Sequence, residues 1–243
     1  MKETNTSQLQ DAKIKALLYG KSGTGKTSTA LTLKPSTTLI LSAESGLLPL
    51  AGKDYAVWEI ESFDDMGESY KRLLNPELQS KFKVIFVDSL SEINELCKEK
   101  IVKIDRPGLG KDLGKSYDDL LQMQDYQLLQ VRMTRMIRAF RDLPFHIIFT
   151  ALEDNIKDER TGEIQVVPSI NGKLATNVAG FFDEVFRQST KEIDGKLQYL
   201  FTTGKVEKAI AKDRSGALNL YEEASWKTVF EKIFKKFKVK EEK

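Results

Sequence analysis

Three features of the sequence predict an α/β fold with a mostly parallel sheet flanked by helices and a β-rich C-terminal extension of that sheet. Short apolar runs of strand length alternate with amphipathic stretches of helix length as far as residue 149. Two of those runs, residues 83–87 and 145–149, are almost continuously apolar, and after residue 150 the rhythm changes to short strands separated by glycines. Alternation of this kind builds βαβ units with right-handed crossovers. A strand without polar alternation is buried on both faces, as in a parallel sheet. In such sheets ligands bind beyond the carboxyl ends of the strands.

Residues 1–13 form a polar lead, and residues 14–19 an apolar strand that stops at a glycine-rich turn, with a helix expected from Lys26. Residues 37–41 and 55–60 read as the next strands, followed by a helix that Ser62 caps and that ends before Pro76. After the strand at 83–87, Ser89 and Glu92 have capping-box spacing for another helix. A glycine- and lysine-bearing loop at 103–116 leads into a long helix over 118–141 and then the strand at 145–149. Beyond it, residues 164–167, 184–188, 197–202 and 206–211 read as strands, with Gly162, Gly195 and Gly204 at turns. A last helix carries Trp226, Val229, Phe230, Ile233, Phe234 and Phe237 on one face and lysines on the other. The division expected is a lead at 1–13, a core at 14–221, and a C-terminal amphipathic helix with a basic tail at 222–243.

The 243 residues are 40% hydrophobic and 30% charged, enough for one α/β domain with a full core. No run approaches the roughly 20 apolar residues of a membrane span, and the polar start is unlike a signal peptide, so no membrane association and a cytoplasmic location are expected. A single cysteine, Cys97, and a single histidine, His146, exclude an internal disulfide and a Cys/His zinc site. Both read as packed core residues. The net charge of +2 is too small to mark a nucleic-acid protein, so any such binding must come from local patches.

Gly20, Lys21, Ser22, Gly23, Thr24, Gly25, Lys26 and Thr27 match the phosphate-binding pattern G-x-x-x-x-G-K-[ST] between an expected strand and an expected helix, and Ser28 continues the cradle. The glycines let backbone N–H groups converge on a triphosphate, and the helix N-terminus adds positive potential there. Lys26 is expected to reach the β- and γ-phosphates of ATP, and the Thr27 hydroxyl to ligate Mg2+. Asp88 ends a buried strand and is the matching magnesium carboxylate. Glu44 follows the strand at 37–41 at the same sheet edge, where a carboxylate can polarise an attacking water.

Together with that loop, Ser42-Ala43-Glu44, Val87-Asp88-Ser89 and Lys212-Asp213-Arg214 resemble RecA-type recombinase cores. The closer resemblance is to the core-only phage nucleotide-binding proteins of that superfamily, which are associated with single-strand annealing and recombination. It covers about residues 14–221 and implies a RecA-like P-loop NTPase core, a DNA-stimulated ATPase and phage origin. It makes Glu44 the hydrolytic glutamate and Thr150 the polar sensor, where RecA proteins carry glutamine. Lys212 and Arg214 become cations reaching the γ-phosphate of a neighbouring subunit in a head-to-tail homo-oligomer, filament or ring. Single-stranded DNA and a single-stranded-DNA-binding protein are the implied partners.

Two segments match the DNA-holding loops of such filaments. Residues 103–116 carry Lys103, Arg106, Lys111 and Lys115 among glycines. Residues 153–173 are acidic except at the distal end, where Lys173 follows Asn171 and Gly172. Neither has an aromatic cluster for base stacking, Tyr117 being the nearest aromatic. The rival readings are a nucleotide or small-molecule kinase, with Arg132 to Arg141 as its arginine-bearing segment, and a nucleotide-dependent loader or switch.

Overall fold

A computed structural model describes residues 13–106, 115–157, 161–206 and 208–238. Its strands are β1 (Lys15–Gly20), β2 (Thr38–Ser42), β3 (Ala56–Glu59), β4 (Val84–Asp88), β5 (His146–Lys157), β6 (Ile164–Pro168), β7 (Glu184–Ile193), β8 (Lys196–Thr202), β9 (Lys212–Asp213) and β10 (Tyr221–Glu223). The helices are α1 (Phe63–Leu73), α2 (Pro76–Lys81), α3 (Leu90–Lys100), α4 (Tyr117–Leu120), α5 (Met123–Arg141), α6 (Lys173–Asn177) and α7 (Trp226–Lys238). Among the described residues all the strands join one sheet. Its order is β10-β8-β7-β1-β5-β4-β2-β3, with β6 added to β5 and β9 to β7. The pairs from β7 through β1, β5, β4 and β2 to β3 are parallel, and β8 and β10 extend the sheet in antiparallel pairs. The mostly parallel sheet and its late β-rich extension are therefore present.

Strand side chains alternate between two cores, because successive residues face opposite sides of the sheet. On β1, Leu17 and Tyr19 join the cluster beneath α1, α3 and α5, while Ala16 and Leu18 join the cluster beneath α7. On β4 the same division separates Ile85 and Val87 from Val84 and Phe86. The result is a sheet sandwiched between two helical layers. Trp226, fully buried, stacks near Phe186 and Phe201 and donates its indole N–H to Thr29 Oγ1 at 3.0 Å. The last helix is thereby packed against the segment that follows the glycine loop.

Several local expectations are corrected. The helix expected from Lys26 is a 3-10 helix over Thr27–Thr32, ended before Pro35. The hydroxyls of Thr29 and Thr32 bond back to the carbonyls three residues earlier, Lys26 O and Thr29 O, and such bonds compete with regular helix geometry. The helix expected over 118–141 is broken at Leu121, an extended, buried residue, after which Asp125 caps α5 through the Gln122 N–H. In the segment 153–173, matched to a DNA-holding loop, the strand expected at 164–167 is present as β6, but β5 runs on to Lys157 to form an antiparallel hairpin with it, and α6 starts at Lys173. In the segment read as a strand at 206–211, the described residues contribute only an isolated bridge from Ala209 to Val166.

Candidate functional site

The glycine loop leaves β1 at the carboxyl edge of the sheet, between β5 and β7. A Cβ on Gly20 would lie 2.5 Å from the Gln188 carbonyl oxygen, so only glycine fits where the loop passes β7. Gly25 has φ of 83°, a left-handed conformation that its role in the turn requires. The loop is braced from beneath. Gln188, 1% exposed, donates from Nε2 to Thr24 O at 2.7 Å, and Thr24 Oγ1 donates to Lys21 O at 2.8 Å. Lys21, Ser22 and Gly23 are exposed, and Ser28 is half-buried on the 3-10 turn.

Lys26 is folded back into this loop, its ammonium donating to Gly20 O at 3.0 Å and Lys21 O at 2.9 Å. Burial lowers its pKa, while the carboxylates of Glu44, Asp88 and Glu153 oppose that shift. Asp88, 1% exposed, is the centre of the polar network. Thr27 Oγ1 donates to its Oδ2 at 2.6 Å, and the fully buried Thr150 hydroxyl donates to Oδ1. Desolvation raises the Asp88 pKa, and the Thr150 and Thr27 hydrogen bonds work against it. Thr150 thus reaches the site through Asp88, beneath it, and does not present its hydroxyl to the loop directly.

Glu44 is brought to the same edge by β2. Its backbone N–H and that of Ala43 both donate to Asp88 O, at 3.2 and 2.7 Å. The Ser89 hydroxyl donates to Glu44 Oε1. Ser89 also accepts the Glu92 N–H as the N-cap of α3, so one hydroxyl starts the helix and orients the carboxylate. The reciprocal half of the capping box expected from Glu92 is not formed. Sequence spacing alone marked Ser89 only as a cap.

The chemistry of these donors fits magnesium. A hydroxyl and a carboxylate oxygen stand 2.6 Å apart, both are hard oxygen ligands, and Mg2+ characteristically takes one or two carboxylates plus substrate phosphates and waters. Thr27 and Asp88 would hold the ion, which when bound supplies charge to the β- and γ-phosphate oxygens.

A family model described as an AAA domain matches residues 12–215. The chain belongs to this AAA domain family. No curated protein matches it. An AAA domain is a nucleotide-binding P-loop domain of the ATPase type, and the glycine loop, Lys26, Thr27 and Asp88 all lie within the matched region. The matched region includes β1 to β9 and ends before β10 and α7, although α7 completes the core behind the loop.

The remaining candidate residues of this AAA domain lie elsewhere. Lys212 and Arg214 are at the amino edge, where β9 pairs with the start of β7. Lys212 Nζ donates to Ala179 O at 2.6 Å and Phe182 O at 2.5 Å, and Arg214 pairs with Asp183 at 2.9 Å. Lys103 pairs with Glu99 and lies 5.9 Å from the Tyr117 ring centroid, while Arg106 pairs with the buried Asp125 at 3.0 Å. Lys115 and Lys173 are exposed, and Lys111 lies outside the described residues. His146 is packed as expected: it accepts the Ile14 N–H at Nδ1 and contacts Phe230 and Phe234, and burial holds its pKa down at about 4. Sequence reasoning missed Gln188, which carries no motif, and the Arg187–Glu153 ion pair, 2.9 Å across β7 and β5, because Glu153 had been read as a loop residue. Among the described residues no helix is long and apolar enough to cross a membrane.

Proposed function

We propose that this AAA domain hydrolyses ATP and couples that cycle to single-stranded DNA in recombination or strand annealing, as its resemblance to core-only RecA-type phage proteins implies. The observation that carries the reading is Glu44, held by the Ser89 hydroxyl beside the Thr27–Asp88 pair. A carboxylate in that place accepts the proton of a water attacking the γ-phosphate. Lys26 stabilises the charge that develops on the transferred group, and Asp88 fixes Thr27.

The DNA half is supported by the convergence of the basic segment 103–116 with the distal end of the otherwise acidic segment 153–173. Lys98 Nζ pairs with Asp118 at 2.9 Å, Asn171 Nδ2 donates to Asp118 Oδ1 at 3.5 Å, and Asn94 Nδ2 donates to Asn171 Oδ1 at 2.5 Å. Residues flanking 103–116 and the distal end of 153–173 are thus tied together. A kinase with an arginine-bearing lid is less well supported. Arg132 pairs with Asp105, Arg141 with Asp142, and Arg138 lies over the Phe181 ring, all along α5.

Head-to-tail assembly is the part of the reading that rests on the resemblance alone, and the two edges set its geometry. Ala16 pairs with Glu184 and Gly20 with Gln188, a separation of about 13 Å along the strand, so Lys212 and Arg214 do not reach their own triphosphate site; in the assembly the resemblance implies, Arg214 would leave Asp183 to meet a neighbour's γ-phosphate, while Lys212 stays on the Ala179 and Phe182 carbonyls. ATP turnover with and without oligo-dT, and with small-molecule acceptors, tests the reading. DNA-stimulated release of inorganic phosphate supports it, whereas transfer to an acceptor with no response to DNA overturns it. Mixing Arg214→Ala with Glu44→Gln tests the assembly, because a head-to-tail oligomer re-forms some intact interfaces and recovers part of the activity.

A further inference from the structure

A cavity of about 800 Å³ opens at the amino edge of the sheet, between α7 and the starts of β2 and β4. Its floor is apolar. Leu33 and Val84 are buried there, and Phe230, Phe234 and the neutral His146 ring stand half-buried beside them. The rim is cationic, with Lys34, Lys83, Lys227 and Lys235 all exposed and opposed by one carboxylate, Glu231.

None of these four lysines forms an ion pair with a described residue, unlike Lys98, Lys100 and Lys103, each of which is paired. The spacing on α7 explains the arrangement. Lys227, Glu231 and Lys235 recur every four residues and form the outer ridge, while Phe230 and Phe234 recur at the same interval on the inner one. An amphipathic helix that covers a sheet edge normally buries its aromatic ridge fully. Here two aromatic residues of that ridge remain half-exposed to the groove.

We propose that this groove docks an acidic peptide segment of another protein, with a large apolar side chain inserted against Phe230 and Phe234 and flanking carboxylates on Lys34, Lys83, Lys227 and Lys235. Charge complementarity selects the occupant: a net-positive rim around an apolar floor repels basic segments and gives a neutral peptide no electrostatic gain. Concavity favours an inserted side chain over a nucleic-acid strand, because Phe230 and Phe234 form the floor of a pocket and not an open track along which successive bases could stack. The groove lies at the opposite sheet edge from the glycine loop, so an occupant leaves the nucleotide site open. The inference does not depend on the DNA reading.

The test is fluorescence anisotropy on the full chain with a short labelled peptide of aspartates and glutamates carrying one phenylalanine and one leucine. Two controls accompany it: the same peptide with lysines in place of the acids, and labelled oligo-dT. The acidic peptide should bind, the lysine peptide should not, and salt should weaken the binding. Charge reversal by Lys83→Glu with Lys227→Glu, both at exposed positions, should weaken it roughly tenfold or more while ATP affinity stays unchanged. Phe234→Leu, which keeps the core filled, should weaken it as well.

Equal binding of the lysine peptide, or unchanged affinity in the charge-reversal variant, overturns the proposal. Oligo-dT that displaces the peptide and loses affinity in the same variant assigns the groove to nucleic acid and overturns it too. Peptide binding lost only because the chain self-associates, seen by sedimentation over a concentration series, assigns the groove to a second copy and rejects the proposal.

Discussion

The two edges of one sheet use the same residue types for opposite purposes. At the amino edge, charged groups complete the backbone: Lys15 Nζ donates to Leu143 O and Phe145 O, Lys212 Nζ to Ala179 O and Phe182 O, and Asp183 accepts the Lys15 N–H. Burial lowers the pKa of Lys15 to about 8 and pulls Lys212 down as well. At the carboxyl edge, burial lowers the pKa of Lys26 too, but its carbonyl partners belong to the glycine loop itself. Around it Thr27, Asp88, Thr150, Ser89 and Glu44 bond mainly to one another. A lysine that closes a helix or strand end is structural, whereas one folded into a glycine loop beside carboxylates is poised for an anion. The difference lies in what the surrounding backbone does, not in the side chain.

The strongest way to break this contrast is Lys26→Ala. It should weaken ATP binding about 100-fold or more, since charge-assisted contacts to phosphate are lost, and leave the circular dichroism spectrum unchanged. Unaltered affinity by calorimetry would make Lys26 another structural lysine. Next, Glu44→Gln should slow turnover by about 100-fold while ATP affinity stays within about threefold. A normal steady-state rate would move the base elsewhere.

Ser89→Ala sharpens the distinction between a cap and a positioning group. Loss of the cap alone costs about 1 kcal/mol of stability. Loss of orientation should in addition lower kcat about tenfold with KM unchanged, and Ser89→Thr should restore it. A variant that is merely less stable, with normal kcat, would confine Ser89 to capping.

The smallest effect is expected at the amino edge. Burial, with the Asp213 carboxylate close by, raises the Glu184 pKa from 4.5 to about 8. The fold therefore favours protonated Glu184, and that contribution is fully present below the unfolded value of 4.5. It is lost as pH rises through about 8. Glu184→Gln should leave the melting temperature unchanged at pH 4.5 and raise stability by on the order of 1 kcal/mol at pH 9, with ATP turnover unaltered. A stability gain independent of pH would show that the carboxyl is not held protonated.

How far these edges were legible differs for a physical reason. The glycine loop is written in consecutive residues, because backbone N–H groups must converge on one ligand, so Gly20 to Thr27 were identified from order alone. Asp88 and Glu44 were legible because parallel strands deliver their carboxyl ends to one edge, and the apolar runs before them announced those strands. The alternation of two cores along β1 and β4 followed from the same runs. Long-range partners left no local trace. Ser89 on Glu44, Thr150 on Asp88, Gln188 beneath Thr24 and Glu153 on Arg187 are separated by 45, 62, 164 and 34 residues.

Sequence by itself determined the glycine loop, the mostly parallel character of the sheet and its late β-rich extension, since each depends on short-range pattern. Tertiary structure decided which edge each charge occupies. Lys212 and Arg214 read locally as a free cationic pair, yet the registry of β9 on β7 sets them at the amino edge and engages both. The half-open groove beneath α7 exists only where a helix, a strand start and the end of a 3-10 turn meet. Side-chain chemistry is local, but the partner that gives a charge its purpose is chosen by packing.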